Sequence, residues 1–521
     1  MASLAEEIAK VLKARKVTRI FGIPGGGSSL DLIDAADKAG IPFTLTRTEA
    51  AATIMAAVTG ELTGAPGAVL VGVGPGASSA TNGLAYASLE RSPMVLFIDG
   101  PASTMHQHFN QQAMFAPISR GTARLQPADG AEVLDNLLKT TLSAPEGPVM
   151  VELTAGDAAA KANTCIPSDD ATPPPPSTDD LAAAASMIAA SKRPMVIVGL
   201  EARLHADAVR AFADRLGCAA MTTYKAGGII SAESPGFIGP ITGAAGEMPI
   251  LQKADLIIGI GFDPIEFIPG TWPADFPPFL QIGEGSPANP RVPFDLKLTG
   301  PLETILRALG DGLTDSGWAD SGLNELKAIA ERIYTPDSNG FSTAAAIDAI
   351  GESIDHGTRI CVDAGAHMFA TIGRWPATKP QGILKSNGLS TMGYALPAAI
   401  ASALADPATP VMAVTGDGGI SMCVGELATA RELNLDITLV VMNDSALSLI
   451  DIKQQRQQRP SLGVRYPAQD FAAIAKAYGW QGVRANDATQ LKAALVIPGP
   501  KLIDVRIDAA GYGDDMSRLR G

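Results

Sequence analysis

The run PVMAVTGDGGISMCVGELATARELNLDITLVVMND, residues 410–444, constrains the fold more than any other part of the chain. Val411 to Val414 is an unbroken apolar stretch that ends at Gly416-Asp417-Gly418. A helical pattern follows, with Leu427, Ala428, Ala430 and Leu433 on its apolar side. Ile437 to Met442 is a second apolar stretch, and Asn443-Asp444 stands at its end. Two short buried strands joined by a helix form a βαβ unit, which makes the strands parallel and the crossover right-handed. Both acidic turns then fall at the carboxyl ends of parallel strands, where open α/β sheets bind ligands. Two hard oxygen donors there suit Mg²⁺, which takes one or two protein carboxylates and completes its shell with phosphate oxygens. The intervening glycines let backbone N–H groups approach a diphosphate closely. A lone Gly-Asp-Gly is an ordinary turn. The second acidic turn, with Asp444 27 residues beyond Asp417, is what gives the first its weight.

At 521 residues the chain exceeds one ordinary core, and about three domains are expected at ~150 residues each. A hydrophobic share of 46% with 18% charged residues is globular and carries no disorder signature. The net charge of −14 argues against nucleic acid and against an anionic membrane as partners. It leaves an anionic cofactor open, because a bound metal reverses the local field. Cys165, Cys218, Cys361 and Cys423 lack CxxC spacing and are expected as reduced thiols of a cytoplasmic protein. The five histidines form no HExxH pattern, and no apolar run approaches the ~20 residues that span a bilayer. Ser3 and Glu6 form a capping box for a helix whose apolar face is Leu4, Ile8, Val11 and Leu12, so the start of the chain does not read as a signal peptide.

Residues 1–160 alternate helical patterns with strand candidates at Arg19 to Ile23, Phe43 to Leu45, Ala68 to Gly72, Met94 to Ile98 and Val149 to Leu153. That rhythm predicts a parallel sheet with helices on both faces. Between Ala155 and Asp180 the text turns to Ala, Asp, Thr and Ser around Pro173 to Pro176, a stiff extended linker. A second block over 181–320 carries strands at Met195 to Val198 and Leu256 to Ile260, and a third runs over 336–521. The expected fold is α/β, with three doubly wound parallel-sheet domains. The first and third are expected to be alike in structure without a detectable repeat in sequence.

In FTLTRTEAAATIMAAVTGELTG, residues 43–64, a strand leads to Glu49 and a nearly all-apolar helix follows. Such a helix is buried, and Glu49 at its start is expected to be buried with it, with a raised pKa. From spacing alone, a carboxylate resting on a helix N-terminus reads as well as a functional acid. FGIPGG (21–26) and VGPGASSATNG (73–83) are glycine-rich turns after strands, and tight turning explains most of their glycines.

Taken together, these segments resemble the thiamin-diphosphate-dependent family of decarboxylases and acetolactate synthases, over nearly the whole chain. The resemblance implies pyrimidine-binding, central and diphosphate-binding domains in that order. It implies a metal held by Asp417, Asp444 and the carbonyl of Ala446, although most of the family has Asn where Asp444 stands. Gly416, Gly418, Gly419 and Ile420 then line the diphosphate, as does His367 in VDAGAHMFA. Met392, in SNGLSTMGYALPAAIASAL, is the bulky residue beneath the bent cofactor. Glu49 becomes the acid that hydrogen-bonds N1′ of the aminopyrimidine and so helps to remove the thiazolium C2 proton. Gly25, Gly26, Gly27, Leu449 and Ile450 would line the substrate side. HQHFNQQAMFAPISR (106–120) resembles a loop of acetolactate synthases and benzaldehyde lyase that carries an active-site Gln, here Gln111. His106 and His108 read as surface-loop histidines.

The implied chemistry is attack of the cofactor's C2 carbanion on a 2-oxo acid, loss of CO₂ and addition to a carbonyl acceptor. A 2-hydroxyketone lyase/ligase like benzaldehyde lyase is the alternative enzyme. A non-catalytic relative acting as a binding protein is the alternative from another class, and it has no need of Glu49. The family implies a homodimer or homotetramer. FAD is not expected. Flavin-binding relatives have Arg where Gly261 stands, and an Asp-rich turn where Gln281-Ile282-Gly283-Glu284 stands.

Overall fold

The structure, a computed structural model, describes residues 2–100, 106–107, 109–169, 173–267, 276–285, 292–313, 318–335 and 340–520. Among these residues there are three six-stranded sheets, every strand pair parallel. The first sheet comprises β1 (Ile20–Ile23), β2 (Phe43–Leu45), β3 (Gly67–Val71), β4 (Met94–Asp99), β5 (Thr122–Arg124) and β6 (Pro148–Leu153), in the order β2-β1-β3-β4-β6-β5. The second has β7 (Pro194–Val198), β8 (Ala219–Thr222), β9 (Phe237–Pro240), β10 (Leu256–Ile260), β11 (Phe279–Gly283) and β12 (Leu296–Thr299), in the order β12-β11-β10-β7-β8-β9. The third has β13 (Arg359–Val362), β14 (Ile383–Lys385), β15 (Val411–Gly416), β16 (Ile437–Asn443), β17 (Gln481–Ala485) and β18 (Lys501–Arg506), in the order β14-β13-β15-β16-β18-β17. The first and third sheets therefore share one strand order, and the expected likeness of the two blocks holds.

The central strands are buried on both faces, which is why they read as continuous apolar runs in the sequence. The edge strand Thr122–Arg124 is short and partly exposed, and no apolar pattern announced it. The capping box at Ser3 forms as expected, with the Glu6 N–H on Ser3 Oγ at 3.2 Å and the Ser3 N–H on Glu6 Oε2 at 2.9 Å. The single helix expected after Gly-Asp-Gly is instead two, Asp417–Cys423 and Glu426–Glu432, parted at Val424-Gly425. Leu427 and Ala430 are buried as expected, whereas Ala428 and Leu433 are half-buried.

The chain forms two compact units. One holds residues 1–171 with 388–408 and 421–435, and contains the first sheet. The other holds 172–387, 409–420 and 436–521, and contains the second and third sheets. The helix Ala395–Ala405, which lies between β14 and β15 in the chain, packs within the first unit against the helix Glu49–Thr63. Buried Tyr394 meets Tyr86 there, ring centroids 5.1 Å apart, and the Tyr86 O–H donates to Glu61 at 2.6 Å. A phenol this deep needs such a partner. All four cysteines are free. No helix among the described residues is long and apolar enough to cross a membrane.

Candidate active site

In the second unit β15 and β16 are neighbours, with Gly416 in register with Met442. Asp417 and Asp444 therefore leave adjacent strand ends on the same edge, about 4.8 Å apart in the sheet direction. Asp417 is buried, and both oxygens of its carboxylate accept hydrogen bonds. Oδ1 takes the Gly418 N–H and the Tyr466 O–H, each at 2.7 Å, and Oδ2 takes the Ser445 N–H at 2.6 Å. Asp444 is half-buried and accepts the Ser448 hydroxyl and, at 3.3 Å, the Ala446 N–H. Ser445 sits between them in the left-handed region, φ 62°. For a residue other than glycine this is an uncommon conformation, of a kind concentrated at functional turns.

Ala446 forms a single antiparallel bridge with Arg465. Its flanking groups carry the bonds, Leu447 N–H to Val464 O at 2.7 Å and Tyr466 N–H to Ser445 O at 3.2 Å. The N–H and C=O of Ala446 thus turn to the opposite side, the side on which its N–H meets Asp444. Burial raises the pKa of Asp417 above the usual carboxylate range. Burial, and then the charge of Asp417, pushes Asp444 up to about 6. Two carboxylates and a carbonyl at this edge are a hard-oxygen set that fits a divalent cation. Among the described residues no cluster of three or more His, Cys, Asp or Glu forms a complete metal cage. This set suits an ion that draws its remaining ligands from a bound phosphate.

The surrounding cradle lies at the β13/β15 switch point, where the strand order reverses direction. His367 opens the helix His367–Arg374 and is buried, its Nε2 without a hydrogen-bond partner. Burial lowers its pKa to about 4, so the ring is neutral at pH 7. A Cβ on Gly416 would lie 3.3 Å from that ring, and one on Gly419 would lie 2.4 Å from Asp363 Oδ2. Only glycine fits at 419. The buried Asp363 is in turn held by the Thr415 hydroxyl at 2.9 Å. The unpartnered Nε2 can donate to an anionic oxygen when it carries a ring proton. Ile420 is buried, Leu449 is half-buried against the core, and Ile450 is exposed.

In the first unit Thr48 caps the helix of Glu49, its side chain accepting the Ala51 N–H at 3.2 Å. The turn before it is pinned by Glu426, which is fully buried and accepts the N–H groups of Arg47 and Thr48 at 2.9 and 3.0 Å. The helix is buried from Ala51 to Glu61, as its composition requires. Glu49 itself is only half-buried, contrary to expectation, because it stands in the first turn, ahead of the buried part of the helix. Gly76 lies against it, a Cβ there being 3.5 Å from Glu49 Oε1.

Gln111, expected on the substrate side, points inward. It is 1% exposed, Oε1 accepts the Gly74 N–H at 3.1 Å, and Nε2 donates to Glu152 at 2.9 Å. It braces the Gly74 turn. Gly25 and Gly27 press on the buried carboxylate of Asp99, while Gly26 faces open space. Met392 is half-buried, and its neighbour Thr391 accepts the side-chain N–H of Asn82 at 2.9 Å. His106 is exposed, and His108 lies outside the described residues. The expected site residues thus fall into two groups. Gly25 to Gly27, Glu49, Gln111 and Met392 belong to the first unit, and His367, Gly416 to Ile420, Asp444, Ala446, Leu449 and Ile450 to the second. Tyr466, Ser445 and Glu426 were not foreseen, since no local pattern links any of them to the residue it holds.

Comparison with known proteins gives the family of the chain. Three family models match in chain order: the thiamine pyrophosphate enzyme N-terminal TPP binding domain at 2–118, its central domain at 181–309 and its C-terminal TPP binding domain at 363–505. Together they span most of the chain, which belongs to the thiamin-diphosphate-dependent enzymes, on their acetolactate-synthase-like branch. The acetolactate synthase of Bacillus subtilis is 28% identical over 98% of this chain and 94% of its own length. The catabolic acetolactate synthase of Raoultella terrigena is 27% identical over 97% of this chain and 95% of its own. The large subunit of acetolactate synthase isozyme 1 from Escherichia coli is 28% identical over 97% and 94%. The protein is a thiamin-diphosphate-dependent enzyme of general decarboxylase or carboligase type.

Proposed function

We propose that the protein is a Mg²⁺-dependent 2-oxo acid decarboxylase/carboligase of the acetolactate-synthase kind, cytoplasmic and active as a homodimer or homotetramer. The observation that carries this reading is the pair Asp417 and Asp444 on adjacent strand ends, beside the His367–Gly416–Gly419 cradle. In this reading 1–160 is the pyrimidine-binding domain, 181–320 the central domain and 336–521 the diphosphate-binding domain. When bound, thiamin diphosphate supplies a carbanion for attack on a carbonyl and an electron sink for CO₂ loss. The protein supplies the rest. Asp417, Asp444 and the Ala446 carbonyl hold Mg²⁺, and His367 with the Gly416–Ile420 turn takes the diphosphate. Glu49 holds and returns the proton at N1′, and Met392 shapes the cofactor from below. Gly26, Leu449 and Ile450 border the substrate, a 2-oxo acid, and Gln111 acts there through the Gly74 turn it braces. The first unit of one subunit serves the metal-bearing sheet of its partner.

FAD has no place in this reading. In the second sheet the order reverses between β10 and β7, and the turns that follow these two strands carry Glu266 and Glu201. Glu266 accepts the Leu200 N–H at 2.9 Å, and Glu201 accepts the Glu284 N–H at 3.1 Å. These are turn N–H groups of the kind that a nucleotide phosphate uses. Burial, and then Asp263, pushes the Glu201 carboxyl up to about 8.

The test is the purified protein with thiamin diphosphate, Mg²⁺ and a panel of 2-oxo acids and benzoin. CO₂ release with a new C–C product, from a colourless preparation, is the expected result. Turnover of benzoin alone would assign the 2-hydroxyketone lyase instead. Cofactor binding without turnover of any substrate would mark a binding protein, and a yellow preparation with stoichiometric flavin would overturn the reading of the middle domain.

A further inference from the structure

We infer that Tyr466 is a positioning residue of the metal site, its hydroxyl fixing the plane in which the Asp417 carboxylate meets a divalent cation. The inference rests on the reading of Asp417 and Asp444 as metal ligands. A carboxylate oxygen offers two lone-pair directions. Those of Asp417 Oδ1 are taken by the Gly418 N–H and the Tyr466 O–H, each at 2.7 Å. Oδ2, which accepts the Ser445 N–H, is then the oxygen that would be turned toward an ion held together with Asp444. Without the phenol, Oδ1 loses the Tyr466 hydrogen bond, and the group has more freedom to rotate about its Cβ–Cγ bond.

Tyr466 is brought there by construction. The segment after the helix Ser448–Arg456 folds back along the Asp444 loop and pairs with it through Leu447 N–H to Val464 O and Tyr466 N–H to Ser445 O. Three further contacts fasten the segment. Val464 is buried, Arg465 forks onto Asp451 at 2.7 and 3.1 Å, and the Ser461 hydroxyl bonds the same carboxylate. The left-handed turn at Ser445 lets one residue point its N–H at Asp417 and its carbonyl at Tyr466. The ladder thus ties two residues of the metal loop and the phenol into one piece. Hydrogen-bond partners of metal-ligating carboxylates typically govern metal affinity by about 10–100-fold.

The experiment is a Mn²⁺ titration of the full chain with thiamin diphosphate, reading free Mn²⁺ by electron paramagnetic resonance. It compares the parent with Tyr466→Phe, which keeps the ring and removes one oxygen. Tyr466→Phe is expected to bind Mn²⁺ about 10–100-fold more weakly, with its thermal melt close to the parent's. Arg465→Ala, which loosens the segment but keeps the phenol, is expected to fall between the two. An unchanged Mn²⁺ constant in Tyr466→Phe, beside metal-dependent cofactor binding by the parent, would overturn the inference. A parent that binds the cofactor equally well in EDTA would instead overturn the metal assignment on which it rests.

Discussion

The first and third sheets have the same strand order, yet they spend their acidic residues in opposite ways. In each the fourth strand ends in a polar residue, Asp99 on β4 and Asn443 on β16. Asp99 is buried and consumed internally, holding the Ser29 N–H and hydroxyl at 2.8 Å each and Ser28 Oγ at 2.7 Å. Asn443 is also a brace, donating to Asp504 of β18 at 2.8 Å. The third sheet then adds what the first lacks, Asp444 on the next residue and Asp417 on the neighbouring strand end. Both of these carboxylates have raised pKa values. One topology thus yields a rigid platform with a half-exposed Glu49 in one unit and a cation-seeking edge in the other. The strand order supplies the place, and the residues at the strand ends decide its chemistry.

The sharpest way to break this comparison is to remove one acid from each unit. Asp417→Ala is expected to abolish metal-dependent cofactor binding, measured by calorimetry, whereas Glu49→Gln should bind cofactor normally and lose roughly 10²–10⁴-fold in turnover. Mixed under subunit exchange, the two inactive proteins should regain activity, one intact site per hybrid. Hybrids that form without regaining activity would show that each site is built within one chain.

A smaller effect follows from Asp444. Its pKa of about 6 in the folded chain exceeds the ~3.9 of an unfolded one. The folded state therefore binds more protons between these values. The stability this group contributes is full below the unfolded value and is lost as pH rises through about 6. In EDTA, Asp444→Asn should melt higher than the parent at pH 7, by on the order of 1–2 kcal/mol, and the gap should close near pH 4. Metal-dependent cofactor binding by the parent should weaken below pH 6, since the ligand must be ionised. Identical melts at both pH values would remove the electrostatic contrast between the two sheets.

The smallest expected effect belongs to the platform. Ser29→Ala deletes a buried hydroxyl that donates to Asp99 and accepts the Gly25 N–H at 3.1 Å. It should lower stability by about 1–3 kcal/mol and leave the Mn²⁺ constant unchanged. A change in metal binding would show that the Asp99 cluster belongs to the site after all.

Much of this was legible in the sequence because it is local. Alternating apolar runs and turns gave the three parallel sheets, Ser3 and Glu6 declared their helix start, and the strand-end turns located Asp417 and Asp444. Each of these signals is complete within a few residues, or within one βαβ unit. Tertiary structure decided what spacing cannot encode. Tyr466 reaches Asp417 across 49 residues, and Glu426 reaches Thr48 across 378. Both contacts exist only because the fold returns the chain to the same strand ends. The same cause turned Gln111 inward, where Gly74 and Glu152 use both ends of its amide. It also left Glu49 half-exposed although its helix is buried, since composition reports the burial of a helix and not of its first turn. Local sequence thus determined the strands, the turns and the acids they carry, while long-range packing determined what braces each of those acids.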